Sequence, residues 1–110
     1  MTFDEYQKKA LTTAMFSGNE LLDLAHWALG ITGESGEIAE KVKKIIRDSK
    51  SVVTNEAKTE IAKEIGDVLW YLAILSDHLG VSFETVAQNN LEKLKNRKAG
   101  SKISGSGDNR

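Results

Sequence analysis

A chain of 110 residues with fifteen basic and sixteen acidic side chains, a net charge of −1 and no cysteine suffices for one domain, and is small enough that association would help to stabilise it. This composition excludes disulfides, thiolate metal sites and thiol nucleophiles, and the balanced charge argues against stable binding to nucleic acid. No run approaches the roughly 20 apolar residues of a membrane span, and the opening Met-Thr-Phe-Asp-Glu-Tyr-Gln lacks a signal peptide's basic start and apolar middle, so the expected location is the cytoplasm.

Proline is absent and apolar residues recur three and four apart, which predicts an all-α helical bundle of four to five helices. A first helix is expected over residues 4–16, with Tyr6, Ala10, Leu11, Ala14 and Met15 on its apolar side, ended by Ser17-Gly18-Asn19. A second spans about 20–29 and carries Leu21, Leu22, Leu24, Ala25, Trp27 and Ala28, with His26 beside Trp27. Residues 30–33 read either as a turn or as a continuation into a helix that begins at Glu34 and runs to about Arg47. Residues 48–55 form a polar connection. A central helix is predicted over 56–78, stopped by Gly80 as the residue after the cap. Ser82 then caps the last helix, whose apolar side is Phe83, Val86, Ala87, Leu91 and Leu94. The domain is expected to occupy 1–99; from 100 to 110 a Gly/Ser-rich tail cannot bury a core and should be flexible.

Chemistry concentrates in two places. From Glu64 to Leu75 the only charges are Glu64 and Asp67, and at about 100° per residue both project beside Tyr71, within or next to the face a helix would bury. An ionised carboxylate in apolar surroundings must be paired, metal-bound or protonated, and the nearest cation on that helix, Lys63, points elsewhere. Upstream, Glu34 and Glu37 repeat the three-residue spacing beside Gly33 and Gly36, as Gly66 lies between Glu64 and Asp67. Taken alone, Glu34 and Glu37 also suit a helix N-terminus. Two such helices packed together bring four carboxylates to one place. A Glu-x-x-Glu and a Glu-x-x-Asp without thiolates or paired imidazoles favour a hard divalent cation, Mg²⁺ with Mn²⁺ as a substitute. A di-iron site would need two Glu-x-x-His copies, and the residues three before His26 and His78 are Asp23 and Leu75.

Three blocks, Gly33-Glu34-Ser35-Gly36-Glu37-Ile38-Ala39-Glu40, Glu64-Ile65-Gly66-Asp67-Val68-Leu69-Trp70-Tyr71 and Asn90-Leu91-Glu92-Lys93-Leu94-Lys95-Asn96-Arg97, closely resemble the MazG-like branch of the all-α nucleoside triphosphate pyrophosphohydrolases. The likeness extends from Tyr6-Gln7 to the closing Gly-Ser-Gly-Asp-Asn-Arg. It implies a bundle that forms a dimer or tetramer, binds Mg²⁺ through Glu34, Glu37, Glu64 and Asp67, and splits a nucleoside or deoxynucleoside triphosphate into monophosphate and pyrophosphate. It also implies that Lys93, Arg97 and Asn90 lie near the phosphates.

Lys41 and Lys44, four and seven positions after Glu37, are placed either to assist phosphate binding or to pair on the surface with Glu37 or Glu40. His26, Trp27, Trp70 and Tyr71 are candidates for stacking on or reading the base, against a competing role as core or interface aromatics. The rival to an enzyme is a non-catalytic helical interaction module with a structural ion. Within the enzyme class, the rival is the same bundle acting on another phosphorylated metabolite.

Overall fold

The computed structural model describes residues 1–48, 50–100 and 105–108, and its described residues form four helices and no strand. Helix α1, Phe3–Leu11, starts on a capping box in which the Thr2 hydroxyl accepts from the Glu5 amide and the Glu5 carboxylate accepts from the Thr2 amide. It ends earlier than its apolar periodicity predicts. The hydroxyls of Thr12 and Thr13 donate back to the carbonyls of Lys9 and Ala10 while the amides of residues 12–14 tighten to i−3 partners, a local competition that unwinds a last turn. Ala14, Met15 and Phe16 therefore belong to a connecting loop.

Helix α2, Glu20–Asp48, is a single rod of 29 residues. The segment at 30–33 is thus a continuation, and the two helices expected on either side are one. Each internal glycine costs up to about 1 kcal/mol of helix propensity, and at Gly30 the compensation is visible: an added Cβ would collide with the Tyr71 ring, whereas at Gly33, Gly36 and Gly66 it would meet nothing within 4 Å. Helix α3, Asn55–His78, is capped by the Thr54 hydroxyl and ends at Leu79, followed by Gly80 at φ +76°, the left-handed residue that the sequence predicts there. Helix α4, Phe83–Ala99, starts on Ser82, whose hydroxyl accepts from the Thr85 amide.

Helix α3 is the spine, contacted by each of the other three. Ala73 and Ile74 are fully buried against Trp27, Ala10 and Phe83. One buried amide joins three helices: Gln7 donates to the Ala73 carbonyl at 2.9 Å and accepts from the Phe83 amide at 3.1 Å. The N-termini of α1 and α4 cap each other, Glu84 accepting from the Phe3 amide and Asp4 from the Glu84 amide, with negative charge at both positive helix ends. His78 lies 3.1 Å from the Glu20 carbonyl and pins the end of α3 to the start of α2, so the two helices run antiparallel.

The molecule is open. Its radius of gyration is 17.0 Å, against about 13 Å for a compact domain of this length, and α2 and α4 do not touch. Leu21, Leu29 and Ile46 of α2 and Leu91 of α4 are each more than 60% exposed, and no described helix is long and apolar enough to cross a membrane.

Candidate active site

The antiparallel packing of α2 on α3 sets two successive layers facing each other. In the first, Trp27 is buried among aromatic rings: Trp70 at 5.9 Å, Phe16 at 5.7 Å, Tyr71 at 6.3 Å and His26 at 4.6 Å. Trp70 is tied to the loop after α1 by its indole N–H, which donates to the Thr13 hydroxyl at 2.9 Å. One turn farther along, Gly30 lets Tyr71 lie against the α2 backbone. One turn beyond that, Glu34 on α2 meets Glu64 and Asp67 on α3.

These three residues each offer a carboxylate oxygen, and the oxygens lie within 4.8 Å of one another. Glu34 and Glu64 are half-buried; Asp67 is exposed. Glu64 is thus partly covered and Asp67 open to solvent, both beside Glu34 of α2. The Glu34 carboxyl titrates above its ordinary range, first because it is partly dehydrated, then because Asp67 and Glu64 crowd it with negative charge. Glu37 is exposed, outside the trio, and adds a smaller push to Glu34. From α1, the Tyr6 phenol is raised by burial and then by the charge of Asp67, which places that ring in the field of the acids. A set of carboxylate oxygens with no imidazole or thiolate among them fits a hard divalent cation.

A cavity of about 790 Å³ is lined chiefly by Met15, Phe16, Leu22, His26, Leu29 and Tyr71; the three acids are not in its wall, but Gly30 and Tyr71 there stand one helical turn from Glu34 and Asp67. Of the four aromatic candidates, His26 and Tyr71 stand in its wall, and Trp27 and Trp70 lie outside the lining as packing. Asp23, also in the wall, is buried and held ionised below the ordinary carboxylate range, first by the Ser17 amide and then by the Ser17 hydroxyl, at 3.0 and 2.7 Å. Leu22, Leu29 and Asp23 had no signature in the sequence, because a cavity wall depends on where the loop 12–19 returns.

Among the described residues, the cations of α4 form no ion pair with Glu34, Glu64 or Asp67. Lys93 and Arg97 both hold Asp108 of the tail, at 2.9 and 3.2 Å, and the Arg97 guanidinium also donates to the carbonyls of Gly107 and Asp108. Asp108 is correspondingly pulled below the usual carboxylate range, first by its bond from Lys93 and next by that from Arg97. Arg97 is buried, and among the described residues its Nε has no hydrogen-bond partner. Asn90 is exposed on the same helix. Of the tail expected to be flexible, residues 101–104, 109 and 110 lie outside the described residues. Lys44 is exposed on α2, where its charge helps to lower Glu40 and Asp48. Of the two places open to Lys41, the surface pair is not formed with Glu37 or Glu40: the ammonium reaches across to Glu64 at 3.4 Å.

A family model described as the MazG nucleotide pyrophosphohydrolase domain matches residues 24–100. The chain is 46% identical to the Gene 37 protein of Mycobacterium phage L5, with 100% of both chains covered. It is 42% identical over 69 residues to YvdC of Bacillus subtilis (strain 168), described as uncharacterised, a match that covers 58% of this chain and 65% of that one. No solved structure matches it.

Proposed function

The chain belongs to the MazG nucleotide pyrophosphohydrolase domain family, and from that premise we propose that it hydrolyses a nucleoside or deoxynucleoside triphosphate to the monophosphate and pyrophosphate, with Mg²⁺ as cofactor and Mn²⁺ as a substitute. The observation that carries this reading is the convergence of three carboxylate oxygens within 4.8 Å, contributed by two helices, one helical turn from residues that line a largely apolar cavity wide enough for a nucleoside.

Glu34, Glu64 and Asp67 would hold the metal, and Glu37, exposed one turn from Glu34, is free to join them or to take a proton. A divalent ion bound there supplies charge screening for the triphosphate and a lowered pKa for an attacking water. The chain's own residues do the rest. A carboxylate of the cluster that the metal leaves unligated is suited to accept the proton of that water. His26 and Tyr71 contact the base in the cavity, with Trp27 and Trp70 fixing their wall. Lys93 and Arg97, with Asn90, offset the charge developing on the leaving pyrophosphate. Because α4 and α2 do not touch in one chain, and because α2 exposes Leu21, Leu29 and Ile46, the working form in this reading is a homodimer or homotetramer that covers those residues and brings the α4 cations of one copy toward the acids of another. In this reading the protein acts in the cytoplasm.

The test is product analysis across NTPs, dNTPs and oxidised or methylated nucleotides, with and without Mg²⁺. Monophosphate and pyrophosphate in equal amounts, formed only with the metal, is the expected result. No turnover of any nucleotide would leave a non-catalytic helical module, and turnover of a different phosphorylated metabolite alone would reassign the substrate.

A further inference from the structure

The acid cluster contains one cation. Lys41 lies seven residues after Glu34 on α2, two turns along the same stripe, and its ammonium stands 3.4 Å from Oε1 of Glu64 on α3. The other ion pairs within the helices are of a different kind: Lys43–Glu40, Arg47–Asp48 and Lys63–Glu60 each join near neighbours on one helix, with every side chain at least 44% exposed. Lys41 and Glu64 are 29% and 17% exposed, and theirs is the one pair among the described residues that crosses from helix to helix. Pairs in such settings are screened less than those in bulk water. At 3.4 Å the contact is also longer than the roughly 2.7–2.9 Å of a tight charge-assisted hydrogen bond, so the ammonium is near Glu64 without being locked to it.

We propose that Lys41 is the resident counter-ion of the metal-free site: its ammonium neutralises Glu64 until a divalent cation takes that carboxylate, and the two cations compete for it. This rests on the reading above that Glu34, Glu64 and Asp67 hold a metal. Three carboxylates within 4.8 Å repel one another when bare, and one tethered positive charge relieves part of that repulsion without closing the site. A divalent ion ligated by the same oxygens repels the ammonium and replaces it. The proposal differs from a simple structural tie between α2 and α3 in the sign of one effect. A tie predicts that removing Lys41 loosens the site and weakens metal binding, whereas a competitor predicts that removing it tightens metal binding.

The experiment is calorimetric titration of Mn²⁺ into the full chain without nucleotide, for the wild type, Lys41→Met, Lys41→Arg and Glu64→Gln, with circular dichroism to verify helicity. Lys41→Met keeps the aliphatic stem and should lower the Kd for Mn²⁺ about five-fold, equivalent to ~1 kcal/mol. Lys41→Arg keeps the charge and should stay within about two-fold of the wild type. In EDTA, Lys41→Met should melt below the wild type, and the difference should close when Mn²⁺ saturates both. An unchanged or weaker Kd in a helical Lys41→Met protein overturns the proposal, as does Lys41→Arg behaving like Lys41→Met. Absence of Mn²⁺ binding by wild type, Lys41→Met and Glu64→Gln alike is a different failure: it overturns the acid-cluster reading itself, and the counter-ion with it.

Discussion

One helical turn separates Gly30 from Glu34 on α2, and one separates Tyr71 from Asp67 on α3, yet across that step the helix pair changes character. At the aromatic end, Trp27 is 1% exposed, rings touch on several sides, and the glycine is there because another residue presses on it. At the acid end Glu34 and Glu64 are half-buried and Asp67 exposed, the glycines have open space around them, and Glu34 is pushed up first by partial dehydration and then by the like charges of Asp67 and Glu64. The packed end can hold the charged end in place because dense apolar packing fixes helix register far more strictly than ion pairs do. Stability and chemistry are therefore expected to separate along a single pair of helices.

Mutations should expose that separation. The largest effect belongs to the packed end: Trp27→Ala should cost roughly 3–5 kcal/mol in urea unfolding, enough to unfold much of a small domain. At the charged end, Asp67→Ala should lower kcat/KM for Mg²⁺-dependent pyrophosphate release by about a thousand-fold or more, ~4 kcal/mol at the transition state, while the circular dichroism spectrum and association state stay those of the wild type. Undiminished turnover in Asp67→Ala would remove it from the mechanism and leave the two ends functionally alike.

The glycines offer a finer comparison. Gly30→Ala should destabilise by about 1–3 kcal/mol because Tyr71 must be displaced, whereas Gly33→Ala and Gly66→Ala, with nothing within 4 Å of the added methyl, should stabilise the chain by about 0.5–1 kcal/mol through helix propensity. Thermal melts of the three side by side would show whether the crowding is confined to one end. The smallest effect is on pH. A carboxyl whose folded pKa is raised contributes stability that is present below its unfolded value, near 4.5 for Glu34, and is lost as pH rises through the raised folded value. In EDTA the melting temperature should therefore carry a downward slope above about pH 4.5 that Glu34→Gln removes. Saturating Mn²⁺ should flatten it too, because binding releases the same proton.

Much of this architecture was legible in the residues. Periodicity marked the helical segments, Ser82 and Gly80 marked the junction before α4, and the paired acids marked where to look for a metal. The errors have local causes. Thr12 and Thr13 end α1 by bonding to carbonyls that periodicity ignores; at Gly30, where the sequence left a turn and a continuation both open, the choice falls to a contact with Tyr71, 41 positions away.

What the sequence by itself determined is whatever repeats along one helix: the all-α class, the apolar stripes, the caps, and the fact that two acids on each of two helices sit a turn apart. What only the tertiary structure decided is who meets whom across helices. It brought Glu34, Glu64 and Asp67 together and left Glu37 outside, gave Glu64 the ammonium of Lys41, and put Asp108 on Lys93 and Arg97. The physical reason is that spacing along a helix is set by a backbone geometry common to all residues, whereas the register between two helices is set by particular side chains, here Trp27 of α2 against α3 and Tyr71 of α3 against α2, and every charge pair downstream inherits that register.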